Sequence, residues 1–82
     1  MNALESTVDE ELDLSGLTCP MPLLKAKQAL NRMAAGELLR IIATDPGSVR
    51  DFDVFSQQSG NVLLASDIGD ARFVYLLRKR PD

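Results

Sequence analysis

The chain has no histidine and no tryptophan, and it carries one cysteine and one tyrosine. Without an imidazole, its own residues cannot assemble a Cys-His nucleophile or any His-ligated metal site. A single thiol excludes an intramolecular disulfide and a two-cysteine redox cycle resolved within the chain, and it is a poor basis for structural zinc. No apolar run approaches the ~20 residues of a membrane span. No signal-peptide hydrophobic segment opens the chain, and there is no glycine-rich phosphate loop, internal repeat or low-complexity tract. Positive charge is also in short supply. Nine Lys and Arg against twelve Asp and Glu leave a net charge of −3, so there is no footprint for stable nucleic-acid binding. These absences lead to the expectation of a cytoplasmic protein that is not membrane-embedded.

What is present is the composition of an ordinary globular domain, 45% hydrophobic and 26% charged over 82 residues, enough for one two-layer core. Residues 1–10, with Glu5, Asp9 and Glu10, read as a flexible acidic tail, and residues 11–82 as the single domain. Glu11-Leu12-Asp13-Leu14-Ser15 alternates as a first strand ending at Gly16. From Pro20 to about Ala35 apolar residues recur at Leu23, Ala26, Leu30, Met33 and Ala34, which predicts a helix stopped by Gly36. Glu37 to Thr44 is a β-branched strand, parallel to the first in a βαβ unit. Asp45 with Pro46 then opens a second helix, with Val49, Phe52 and Phe55 as its stripe and Ser59-Gly60 as its end. Two strands, Asn61 to Ile68 and Arg72 to Arg80, flank a Gly69-Asp70 hairpin turn. Phe73, Tyr75 and Leu77 share one face of the last strand and Val74 and Leu76 the other, the pattern of a central or doubly covered strand. The fold class is therefore α/β (α+β): a βαβαββ two-layer sandwich with two helices on one face of a four-stranded mixed sheet.

Chemistry concentrates in Gly16-Leu17-Thr18-Cys19-Pro20-Met21-Pro22, which holds the sole cysteine and two of the four prolines. Cys19 falls at the N-cap of the first helix with Pro20 at its first position, where the missing N–H costs nothing. Unpaired amides and the helix dipole favour negative charge there, which predicts a thiol pKa below the usual ~8.5 and a nucleophilic sulfur rather than an inert packed one. Pro20 and Pro22 remove first-turn donors and stiffen the start of the helix, orienting the sulfur. The outer helix face carries Met21, Lys25, Gln28 and Arg32, which reads either as a mixed apolar and basic rim around the thiol or as an ordinary solvated face. Asp53 reads as surface charge, and Arg78-Lys79-Arg80 as a solvated basic end of the chain.

The run Leu14 to Pro22, followed by Ile41-Ile42-Ala43-Thr44-Asp45-Pro46 and Arg50-Asp51, resembles the TusA (SirA-like) sulfur-carrier family, whose hallmark is Cys-Pro-x-Pro at the start of the first helix. The resemblance extends from about Leu12 to Lys79, including the Tyr75-Leu76-Leu77-Arg78-Lys79 ending. It implies a fold like the C-terminal domain of translation initiation factor three and a sulfurtransferase-type carrier role. In that role Cys19 accepts sulfane sulfur as a persulfide from a cysteine desulfurase or rhodanese-like donor and relays it to a downstream acceptor protein. The pathways implied are tRNA thiolation, molybdenum-cofactor maturation and sulfur oxidation, with no cofactor. Pro20 and Pro22 match as orienting residues; Met21, Lys25, Asp45, Arg50 and Asp51 are candidates for supporting the site or docking partners. Two features depart from the family pattern: the acidic extension, and Met21 where the tRNA-thiolating member has an acidic residue. The alternatives are a non-catalytic protein- or nucleic-acid-interaction module on the same fold, and a cytoplasmic thiosulfate-handling helper of a membrane transporter.

Overall fold

The computed structural model of the protein describes residues 7–81. Its elements are β1 (Glu10–Leu14), α1 (Met21–Arg32), β2 (Leu38–Ala43), α2 (Ser48–Ser59), β3 (Val62–Ile68) and β4 (Phe73–Arg78). The four strands form one sheet in the order β1-β2-β4-β3. The β1–β2 pair is parallel, Leu14 lying opposite Ala43, while β4 is antiparallel to both β2 and β3. This is the βαβαββ mixed sheet expected from the residue pattern, and both helices cover the same face.

The core lies between that face and the helices. Leu14, Leu39, Ile41, Ala43, Phe73, Tyr75 and Leu77 from the sheet meet Ala26, Ala29 and Leu30 of α1 and Phe52 of α2. β4 buries five consecutive residues because it is central, flanked on both sides by paired strands. Leu76 lies between Arg40 and Ala65, and Val74 between Ile42 and Asp67, on the face away from the helices. Their in-register neighbours shield that side of β4, and no second layer is needed.

Several boundaries differ from the expectations. Glu10 already belongs to β1, and Asp9 is tied to β2 by its N–H to Leu38 O and by its Oδ2, which accepts from Leu38 N–H. The paired region therefore already includes Asp9 and Glu10 of the expected tail, whose residues 1–6 lie outside the described residues. Helix α1 starts one residue late, with Pro20 at the N-cap, Met21 first and Pro22 second; the first-turn amides have no helical partner, so proline is tolerated there. The helix also ends early. Met33 is extended, so Ala34 drops out of the stripe to the surface, and Pro22 and Ala29 join the buried face. Helix α2 begins at Ser48, because Asp45, Pro46 and Gly47 form a turn closed by Ser48 N–H to Asp45 O at 3.0 Å. The Asp45 side chain does not cap that helix, and Val49 is 36% exposed, leaving Phe52 and the half-buried Phe55 as its inward stripe.

Candidate functional site

Because β1 and β2 run parallel and end in register, the loops that follow them leave from one edge of the sheet, and α1 and α2 both begin there. Gly16 N–H donates to Thr44 Oγ1 at 2.8 Å and ties the two loops together. Cys19 follows in the first loop and is exposed. Its backbone N–H donates to Asp45 Oδ2 at 3.2 Å, and its Sγ–H donates to Asp51 Oδ2 at 3.3 Å. The β2–α2 turn and the first turn of α2 thus grip the cysteine at one atom each. Gly47 permits this approach: a Cβ there would come within 3.1 Å of Asp45 Oδ2 and 3.9 Å of the Cys19 Cβ.

The electrostatics run against the sequence-based expectation. The Cys19 thiol is pushed up from its ordinary range, not down: first by the hydrogen bond that Asp51 accepts, then by partial desolvation, then by the negative charges of Asp51 and Asp45. Two helix N-termini favour a thiolate at this edge, but the carboxylates at hydrogen-bond distance favour the thiol more strongly. The helix end is a local feature of the chain, whereas Asp45 and Asp51 reach Cys19 from 26 and 32 residues away.

Beneath the carboxylates, Ser48 Oγ and Tyr75 Oη share a buried 2.7 Å hydrogen bond. The Tyr75 ring packs on Phe52 at a centroid distance of 4.8 Å and a tilt of 39°. Burial raises the Tyr75 hydroxyl pKa, the Ser48 bond lowers it, and the negative charges of Asp45 and Asp51 raise it further. The first turn of α2 is therefore pinned to β4, and with it the backbone that carries Asp51.

Of the residues expected at the site, the fold joins Cys19, Asp45 and Asp51. Pro20 is exposed and Pro22 buried, so the second proline is the one that anchors α1 to the core. Met21 is 38% exposed and Lys25 is exposed one turn further on. Among the described residues, neither Lys25 nor Arg50 makes a hydrogen bond or ion pair to Cys19, Asp45 or Asp51. Arg50 instead lines an open groove of about 360 Å³ between the helices with Leu23, Lys27, Asp51, Val54, Phe55 and Gln58. Gly47, Ser48 and Tyr75 were not foreseen as part of the site. The Asp-Pro-Gly-Ser run signalled a turn, but nothing in it said that the turn would meet Cys19. Among the described residues no group of three or more His, Cys, Asp or Glu could hold a metal ion, and no helix is long and apolar enough to cross a membrane.

Comparison with known proteins adds an independent line. Residues 10–79 match the family model described as sulfurtransferase TusA. The sulfur carrier protein TusA of Allochromatium vinosum is 54% identical over 71 residues, covering 87% of this chain and 93% of that protein. The sulfur carrier protein TusA of Pseudomonas syringae pv. syringae is 42% identical over 76 residues, covering 93% and 90%. Among solved structures, the crystal structure of a SirA-like protein from Desulfitobacterium hafniense superposes with a TM-score of 0.76. That likeness covers 87% of this chain and 97% of the other at 19% identity, and it bears on the fold alone.

Proposed function

This chain belongs to the TusA sulfurtransferase family, and on that premise we propose that it is a sulfur carrier holding sulfane sulfur as a persulfide on Cys19. The observation that carries the reading is an exposed sole thiol at the edge where both helices begin, in a chain without a histidine or a second cysteine to complete a catalytic cycle. Such a protein can receive and hand on a sulfur atom, and it depends on partners for the rest.

Loading is thiol exchange on a sulfane sulfur. Cys19 Sγ attacks the outer sulfur of a donor persulfide, the new S–S bond forms as the donor S–S bond breaks, and the electron pair leaves on the donor's inner sulfur. The donor is a cysteine desulfurase or a rhodanese-like protein, and unloading repeats the exchange on an acceptor protein of tRNA thiolation, molybdenum-cofactor maturation or sulfur oxidation. Pro20 and Pro22 hold the loop that presents the sulfur. Met21, Lys25 and Arg50 form the exposed rim on which partners dock. A thiol that must cycle between free and loaded forms works where thiols are kept reduced, which is the cytoplasm.

The test is intact-protein mass after incubation of the reduced protein with a cysteine desulfurase and cysteine, or with a rhodanese and thiosulfate. The wild type gains about 32 Da, one sulfur, which dithiothreitol removes, and Cys19→Ser gains nothing. A wild type that stays unmodified with both donors rejects the carrier reading.

A further inference from the structure

Two carboxylates reach one cysteine through different atoms. Asp45 accepts from the backbone N–H and thereby fixes the loop; Asp51 accepts the hydrogen bond of the Sγ–H itself. Asp51 is half-buried, its N–H donates to Gly47 O at 3.1 Å, and Ser48, three residues earlier in the same turn, is bonded to buried Tyr75. The backbone that carries its carboxylate is therefore fixed, and the carboxylate lies at 3.3 Å from Sγ. We propose that Asp51 determines the specificity of sulfur transfer: by accepting the Sγ–H bond it guards Cys19 against small electrophiles in solution and reserves the sulfur for a docked protein donor. The proposal rests on the sulfur-carrier reading and adds to it the residue that selects among donors.

The charges that act on the sulfur agree. From α2 and the turn before it, Asp51 and Asp45 both act to keep the proton on Cys19. From β4, the Tyr75 hydroxyl is engaged with Ser48. Lys27 of α1 and Arg50 of α2 line the groove that Asp51 also borders, and Lys25 lies exposed on the outside of α1. A neutral thiol is a poor nucleophile, so a small reagent arriving from water finds little thiolate. A docked donor differs in two respects. It covers the site with its own dipoles, and its departing sulfur is a base positioned to take the proton. In that step the Cys19 Sγ bonds to the donor's outer sulfur and the donor S–S bond breaks. The proton leaves Sγ by way of Asp51 Oδ2 for the donor's inner sulfur, so that Cys19–SH and donor–S–SH become Cys19–S–SH and donor–SH. The transferred sulfur keeps its oxidation level, and no oxidant or reductant enters.

Two measurements on full-length protein test the assignment. The first is the rate of Cys19 alkylation by iodoacetamide from pH 6 to 10 in wild type, Asp51→Asn, Asp51→Glu and the surface control Asp53→Asn. Asp51→Asn moves the midpoint to lower pH and raises the neutral-pH rate about two- to tenfold, the worth of one hydrogen bond. Asp51→Glu restores part of the wild-type profile, and Asp53→Asn leaves it unchanged. The second is the ratio of loading rates from a cysteine desulfurase with cysteine and from glutathione persulfide, which falls in Asp51→Asn because the small donor gains. A variant with the wild-type circular dichroism spectrum and an unmoved alkylation midpoint overturns the proposal, and so does an unchanged donor ratio. Failure of the carrier reading is separate: the wild type would then load from neither donor, whereas the alkylation profiles need no sulfur transfer.

Discussion

Replacing Tyr75 by Phe removes one oxygen and leaves the ring on Phe52 in place. Ser48 and Tyr75 are each 1% exposed, so the Ser48 hydroxyl loses its 2.7 Å partner and cannot turn to water. An unsatisfied buried hydroxyl costs about 1–3 kcal/mol. A chain of this size has a total stability of about 4–12 kcal/mol, so the loss is a visible fraction of it. With a urea slope of about 1 kcal/mol/M the midpoint falls by about 1–3 M. Ser48→Ala orphans the other hydroxyl and costs a similar amount, but the double variant removes both polar groups and loses much less than the sum of the two. The ionisation has a definite sign. Burial first, and then the nearby carboxylates, raise the Tyr75 pKa, so the fold keeps a proton that the unfolded chain gives up. The stability this contributes is present below the ordinary tyrosine value of ~10 and is lost as pH rises through the folded value. Cys19 is raised too and contributes with the same sign, so the comparison belongs in a Cys19→Ser background. There, urea midpoints between pH 8 and 11 fall more steeply with Tyr75 than with Phe. Strict additivity in the Ser48/Tyr75 cycle, or equal alkaline slopes, would refute the reasoning.

Other perturbations have smaller or simpler outcomes. Phe52→Ala empties a fully buried ring site in the core and costs about 3–5 kcal/mol, a large share of the domain's stability, measurable as a sharply lowered melting midpoint. Gly60 caps α2 at a φ of +83° with nothing nearer than 3.7 Å to an added Cβ, so Gly60→Ala costs conformational energy alone, about 1–2 kcal/mol by urea titration. Glu11→Gln breaks an ion pair with Arg40 at the surface and changes stability by no more than about 1 kcal/mol. Ser15→Ala removes the hydroxyl hydrogen bond that is the largest cause holding Asp13 below the usual carboxylate range and keeps the backbone N–H bond, so the Asp13 carboxyl titrates at higher pH by NMR.

The alternation in Leu12-Asp13-Leu14, the run Glu37 to Thr44 and the Gly69-Asp70 turn identified the strands because a two-residue period and turn chemistry are local properties. Helix ends were less legible. Pro20 and Asp45 are favourable start residues, yet the helices begin at Met21 and Ser48, because an intervening turn satisfied the same backbone groups more cheaply than the side chain could. The apolar stripes were right where the helix continued, at Ala26, Leu30 and Phe52, and wrong where it did not, at Ala34; Val49 stays 36% exposed beside an open groove against β3 and β4.

The sequence by itself determined the order of elements, the family and the position of the sole thiol, since each follows from residue type, local spacing or the count of cysteines. The chemical state of that atom was decided by the tertiary structure. Asp45 and Asp51 lie 26 and 32 residues from Cys19 and meet it only because parallel pairing of β1 with β2 brings both helix starts to one edge. A carboxylate at about 3 Å outweighs the diffuse field of a helix end, and that distance is set by the packing of strands far apart in the chain.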